Sequence, residues 1–585
     1  MRRFSVVLAI ATTVALLPAL VSVSAAGAGR GAADVSGSQS RVAAARGWAQ
    51  RVPFHAQVVS SPVSGGGYPG AKPAPGGCVK GRYDSNFSEG ALALRPRSER
   101  LVGGSKAFFG RWSTYKASHT VSFSFSRASR HGRVGVSRQL TLRHQRGDRV
   151  RATTHFVGGF DCVSTGSQEM PPSWTNATDP NLVWDARGRV YQLVLAYNAF
   201  WGTVKRPNGN VYSVYSDDGG RTWRPGNRGR PVEAGPDLSV DSATYLDKPW
   251  ITANPRRSGP RAGHVYGAWV LFTDSGAEIH TAVSRDRGRS WSRARTVATP
   301  QALGPDNPWP MIAVGRDGVV HLSYVSYGKP SADGTSLPAA LWTARSTDDG
   351  RTWSGFRRVV TTTAIAASTL PGMTVHRSIV QYLAVSPDRP RHLYVVWNRL
   401  RHGQVDVMLS ASRDGGRSWS RPRRVNDDAG SAHQFSATVA AGPRGAVAVG
   451  FYDMRARCPG HDPAILRADR GRRDTCIGLS LQAYHDRHGH LVRTTRNVLV
   501  SRHLWDPYQP GQTRGGLAQR ACEDAAARCD DIFLGDYFSM QVSSSRVYLL
   551  SASTHPRSRV RGDNGRRLHY QQQVLTTVRR SVLGL

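Results

Sequence analysis

From Asn86 onward the chain alternates apolar and polar residues in short runs rich in Val, Tyr and Trp and bounded by Gly and Pro. Period-two runs of this kind predict half-buried β-strands. One arrangement recurs: an alternating apolar strand, a small turn holding Pro or Gly, then a strand ending in aromatics. It spans Leu182 to Asn198, Ile251 to Trp269, Ile312 to Tyr327, Leu383 to Trp397 and Val439 to Asp453, with weaker copies at Leu92 to Ser105 and Met540 to Thr554. That makes seven units. Helical periodicity is nearly absent; Leu517 to Cys529 predicts one short helix on a loop. Residues 29–85 have no sustained period and are rich in Ala, Gly, Ser and Pro, as in Ser64-Gly65-Gly66-Gly67, so they read as a leader or linker. Residues 576–585 read as a C-terminal tail.

Between the strand pairs lies a second repeat, Ser-x-Asp-x-Gly-x-Ser/Thr-Trp. Its copies are Ser216, Asp218, Gly220 and Trp223; Ser284, Asp286, Gly288 and Trp291; Ser346, Asp348, Gly350 and Trp353; and Ser412, Asp414, Gly416 and Trp419. The copies are 68, 62 and 66 residues apart. Such a period filled with short strands predicts propeller blades, which close into a ring because closure removes sheet edges. Ser and Asp side chains can bond amides within a tight turn, Gly supplies a positive φ, and Trp covers the apolar layer. The motif is therefore a structural clasp: four equivalent aspartates cannot share one catalytic centre. Residues 86–575 divided by a blade of about 65 residues give about seven blades, although Phe125 to Pro171 is irregular enough to hide or replace one.

These motifs resemble the Asp-box, or BNR, repeats of the sialidase (neuraminidase) superfamily. The resemblance implies an all-β, sialidase-like β-propeller over residues 86–575, of six blades as is usual in that family or of the seven counted here. It also implies a secreted protein that acts on or binds extracellular glycans, an exo-α-sialidase-type glycoside hydrolase being the catalytic form. Such an enzyme is similar in needing three arginines that clamp a sugar carboxylate, a Tyr nucleophile with a Glu partner, and an Asp acid/base. The family's Phe-Arg-Ile-Pro motif is missing: the first unit reads Asn86-Phe87-Ser88-Glu89-Gly90. Among six glutamates, Glu523 lies shortly before Gly535-Asp536-Tyr537-Phe538-Ser539, which resembles the nucleophile region and makes Tyr537 the candidate nucleophile.

Aligning the units on their first strand places Glu89, Asp179, Asp247 with Lys248, Asn307, Gln434, and Asp536 with Tyr537 just before each apolar core, with Arg377 slightly earlier in the fifth unit. Innermost propeller strands start around the central channel, so these residues predict a polar ring at one mouth. The ring either caps and solvates the channel or contacts a ligand. In the second case Asp247 is the candidate acid, and Arg377, Arg399 and Arg455 are the candidate anion clamps.

The formal charge of +38 on 585 residues is carried by arginine, since only seven lysines occur. It admits two readings. Dispersed arginine is what a GC-rich coding sequence yields on a solvated surface; it would also hold a non-catalytic propeller to anionic surface or matrix polymers. No specific nucleic-acid motif is present. Met1-Arg2-Arg3, the apolar run Val6 to Val21 and Ser24-Ala25-Ala26-Gly27-Ala28 predict a signal peptide over residues 1–28 and export. No other segment reaches membrane-spanning length. The six cysteines suit disulfides in an exported chain. Proximity alone favours Cys522 with Cys529 and Cys458 with Cys476, leaving Cys78 with Cys162. No cofactor or metal constellation is evident: His376, His433 and His485 lack ligand spacing, and Asp427 with Asp428 lies in no EF-type loop.

Overall fold

The computed structural model describes residues 48, 50–60, 86–108, 118–125, 134–144, 150–156, 176–197, 206–207, 209–235, 237–238, 245–304, 307–365, 369–376, 381–430, 432–456, 476–487, 490–507, 532–561 and 567–585. The helix expected at Leu517 to Cys529 lies outside them. Among the described residues, seven antiparallel sheets of four or five strands carry nearly all of the structure. Their innermost strands are, in chain order, Asn86–Leu94, Asn176–Trp184, Tyr245–Ala253, Met311–Val314, Gln381–Val385, Gln434–Ala441 and Ser539–Val542. Each lies beside the next, and the seventh returns to the first, where Gly90 and Phe538 form a parallel bridge. The sheets are thus blades 1 to 7 of a closed propeller, one for each repeat unit read from the sequence.

Blade 3 is typical, running outward through Tyr245–Ala253, Val265–Thr273, Gly276–Ser284 and Arg295–Ala298. Blade 7 takes its outermost strand from far away: Phe54–Val58 pairs with Gln572–Arg579, from Phe54 opposite Val578 to Val58 opposite Val574. Part of the expected leader is therefore a propeller strand, and it ties the two ends of the ring together. The expected tail likewise joins the fold, since the strand runs to Arg579 and a 3-10 turn follows at Arg580–Leu583 with Leu583 buried. The irregular stretch after Phe125 supplies Val134–His144 and Val150–Phe156 as outer strands of blade 1.

The core lies between blades. Tyr266, Ala268 and Ile279 of blade 3 pack on Ile312 and Leu322 of blade 4, for example, each large apolar side chain contributing about 1.5–3 kcal/mol by burial. The four Asp boxes form one turn. At the second, Ser284 Oγ donates to Asp286 Oδ1 (3.0 Å) and accepts from Gly288 N–H (2.8 Å), while the Ser290 amide and hydroxyl donate to Asp286 (2.8 and 2.6 Å). Gly288 holds φ at 80°, and a Cβ there would stand 3.0 Å from Tyr191 of blade 2. The clasp thus closes its own hairpin and rests on the preceding blade. It follows the third strand, which runs in the same direction as the innermost one, so the Asp boxes lie on the face opposite the innermost strand starts.

Those starts share an irregularity. Glu89, Asp179, Lys248, Trp309 and Ser436 adopt left-handed φ of 51°, 53°, 53°, 48° and 51°. The ladder register breaks around four of them, between Ser88 and Ala91, Thr178 and Asn181, Asp247 and Trp250, and Phe435 and Thr438. Pro180, Pro249 and Pro310 follow three of these residues and have no amide to give the ladder. Such bulges redirect side chains at about 1–3 kcal/mol of strain each.

Candidate functional site

At the mouth where the innermost strands start, the bulges gather a buried charged cluster around Lys248. Its Nζ lies 2.6 Å from Asp536 Oδ2, 3.5 Å from Asp247 Oδ1, 3.6 Å from Asp179 Oδ2 and 4.6 Å from the Trp309 ring centre. His376 Nε2 is 3.2 Å from the other Asp536 oxygen. Asn307 Nδ2 donates to Asp247 Oδ2 at 3.1 Å, and Thr178 Oγ1 donates to Asp179 Oδ1 at 2.7 Å. In blade 1, Glu89 Oε1 stands 3.8 Å from Lys106 Nζ, both side chains fully buried. Gly535 makes this crowding feasible: with φ at 109° it lies where a Cβ would come within 2.4 Å of the Glu89 nitrogen. Trp250 meets Tyr382 and Tyr537 edge-on at 5.3 and 5.5 Å.

Burial and the shared lysine set these groups apart electrostatically. Burial pushes Asp247 up to about 6, against the pull of Lys248, and its side chain keeps 18% exposure. Burial pushes Glu89 up to about 8, with Lys106 opposing; burial also lowers Lys106, so both members of that pair are driven toward neutrality. Burial alone would lower Lys248, but Asp179, Asp247 and Asp536 outweigh it and hold the ammonium well above the ordinary lysine value. Asp536 falls well below the usual carboxylate range because Lys248 and His376 overcome its burial. The site thus pairs a carboxyl that keeps its proton up to about pH 6 with a neighbour held ionised, the division of labour that acid catalysis requires.

Of the residues singled out in the sequence, Glu89, Asp179, Asp247, Lys248 and Asp536 meet here. Tyr537 borders them, but its hydroxyl donates to the Pro180 carbonyl oxygen at 2.8 Å, and burial with the nearby carboxylates pushes its pKa well above the ordinary phenol value. Gln434, Arg399 and Arg455 belong to a second network on blades 5 and 6. Arg399 pairs with Asp406 (3.0 Å), Asn426 bridges Asp406 to Gln434, Gln434 reaches Asp453, and Arg455 binds Asp453 and Asp427 (2.8 and 2.7 Å). Arg377 and Glu523 lie outside the described residues, as do all of the cysteines but Cys476, which is disulfide-bonded. Asp427 is bound to Arg455, and Asp428 to Asn426.

Sequence reasoning missed Lys106 and the role of Trp309; the offset of Trp309 from Met311, matching that of Lys248 from Trp250, was the available signal. It also missed a triad on blades 2 and 3, where His280 Nδ1 lies 2.9 Å from Glu233 and Nε2 lies 3.0 Å from Glu278. Burial would lower His280, and the two carboxylates overcome it to raise its pKa. No group of three or more metal-ligating side chains that could hold an ion occurs among the described residues, nor does a helix long and apolar enough to cross a membrane.

Comparison with known proteins finds a BNR/Asp-box repeat at residues 214–225. No curated protein matches the chain. Similar solved structures include a protein of unknown function from Dyadobacter fermentans (11% identity, 69% of this chain and 95% of that one, TM-score 0.39). Trypanosoma rangeli sialidase gives 12% identity over 68% of this chain and 54% of that one, with TM-score 0.35. A mutant of NanB sialidase from Streptococcus pneumoniae gives 10% identity over 85% of this chain and 92% of that one, with TM-score 0.35. The Asp-box repeat read from the sequence is matched at its first copy, and the sheet topology is that of the expected propeller.

Proposed function

We propose that this chain is an exported, glycan-acting propeller of the glycoside-hydrolase kind, working at the strand-start mouth with Asp247 as proton donor. The observation that carries the reading is Asp247 itself: a partly exposed carboxyl raised to about 6, beside carboxylates that share Lys248. As an acid it would protonate the leaving-group oxygen as the glycosidic bond breaks, and the water that adds to the anomeric carbon would give up the proton that restores Asp247. Trp250, only partly buried beside the cluster, supplies flat apolar surface at the same mouth, suited to a sugar face.

Charge decides the kind of sugar. Glu89, Asp179, Asp247 and Asp536 face two lysines and one histidine, and the two candidate clamps among the described residues, Arg399 and Arg455, are held by carboxylates. This excess of carboxyl groups favours a neutral sugar. The exo-α-sialidase reading rests instead on Arg377, which directly follows the Asp536 partner His376 in sequence. The signal-like N-terminus supports export.

The test is hydrolysis of a panel of fluorogenic glycosides, neutral α- and β-linked pentosides and hexosides beside an α-sialoside, by the purified exported protein and by Asp247→Asn. Turnover that falls by about 10²-fold or more in the variant supports the reading, and the substrate cleaved selects the sugar class. Absence of turnover by folded protein on every member, or turnover indifferent to Asp247→Asn, contradicts it.

A further inference from the structure

We propose that the opposite mouth of the propeller, on the Asp-box face, is a binding site for a ligand carrying clustered phosphate or sulfate groups. The turns joining the first and second strands of blades 1 to 4 converge there on a cavity of about 470 Å³. Its lining includes Arg95 and Arg97 from blade 1, Arg256 and Arg257 from blade 3, and Arg316 from blade 4, together with Ser98 and Ser258. Among the described residues, no carboxylate lines it. Five guanidinium groups around a cavity of ligand size form a recognition geometry for oxyanions, because each planar fork can donate two parallel hydrogen bonds to one phosphate or sulfate.

The same turns contain acidic residues, and those residues are turned to other work. Asp185 accepts from the amides of Arg187 and Arg189 (2.9 Å each) and from Tyr191 Oη (2.9 Å), and pairs with Arg287. Asp317 accepts from the Val319 amide at 3.1 Å. Glu99 accepts from Tyr548 Oη and Ser545 Oγ. The arginines are therefore left as the charge that the mouth presents.

The cavity is also braced. Arg187 Nε donates to the Arg257 carbonyl oxygen at 2.9 Å, and Arg256 Nε donates to that of Arg316, linking the turns of blades 2, 3 and 4. Gly188, with φ at 99°, leaves room for the Arg95 guanidinium, which a Cβ there would meet at 2.8 Å. Arg97 itself holds φ at 58°, in the left-handed region where an arginine is uncommon. Further round the ring the corresponding turns also carry arginines, but Arg389 pairs with Asp486 and Arg546 with Glu99, so the unanswered charge is concentrated at the cavity.

The experiment is calorimetric titration of the full chain, at physiological ionic strength, with tripolyphosphate and with a sulfated oligosaccharide. Three proteins are compared: wild type, Arg256→Ser/Arg257→Ser, and the control Arg358→Ser/Arg421→Ser, which removes the same charge from exposed positions elsewhere. Equal melting temperatures establish that all three are folded. The expected result is saturable binding by wild type, weakened about tenfold or more in the first variant and less than about twofold in the control. Tighter binding of tripolyphosphate would assign phosphate as the natural group, and tighter binding of the sugar would assign sulfate. Equal weakening in both variants would reduce the effect to diffuse charge and overturn the proposal, as would failure of wild type to bind either probe. Neither probe is a glycosidase substrate, so this result is independent of the activity proposed for the other mouth.

Discussion

The two mouths of the channel are built from the same seven strands and treat charge in opposite ways. At the strand starts, charges are buried and answered: one lysine serves three carboxylates, and a second lysine faces a glutamate with no solvent access. At the Asp-box face the arginines stand at the rim of an open cavity, and the acids beside them cap turns instead. Burial separates the two. A desolvated charge must be paired or neutralised, and so it becomes tuned, whereas an exposed one keeps its ordinary chemistry and acts by attraction. The first arrangement suits proton transfer and the second suits holding an anion.

Removing the shared charge should break this contrast most severely. Lys248→Met leaves Asp179, Asp247 and Asp536 without their cation and should destabilise the fold by about 3–5 kcal/mol, read as a large drop in the denaturation midpoint. The drop should be smaller at low pH, where the carboxyls are protonated; a change near zero at neutral pH would show that the cluster is not held by Lys248.

A smaller effect follows from Asp247. Its folded pKa of about 6 lies above the ordinary 3.8, so the native state binds more protons than the unfolded chain across that interval. Its contribution is full below about pH 4 and is lost as pH rises through 6. The stability of wild type should fall across this window by about 3 kcal/mol more than that of Asp247→Asn; parallel curves would contradict the shift. The smallest effect belongs to the clasp. Asp286→Ala removes bonds to Ser284 and Ser290 and should cost about 1 kcal/mol while leaving the binding of both mouths intact.

What could be read from the sequence was what is local. The Asp boxes declare themselves because Ser, Asp, Gly and Trp act within one turn at fixed spacing. The ring residues were legible because each stands at the same offset before an apolar strand, although their mutual pairing was not. Lys106 enters from a second strand of blade 1 and shares no offset with them. Phe54–Val58 could not be placed because its partner lies more than 500 residues away and the pairing exists only in the closed ring. Arg399 and Arg455 looked like free cations because their carboxylate partners are brought up by neighbouring strands and loops. The arginine-lined mouth was hidden for another reason: its residues come from separate turns in a chain where arginine is everywhere.

The account stands most directly on the proton that Asp247 carries. The decisive measurement is the pH dependence of kcat/KM on whichever glycoside the wild-type protein cleaves, beside Asp247→Asn. The account predicts a rate that declines as pH rises through about 6 and a variant that has lost both the decline and at least about 10²-fold of the rate. A variant that keeps the wild-type profile would contradict it.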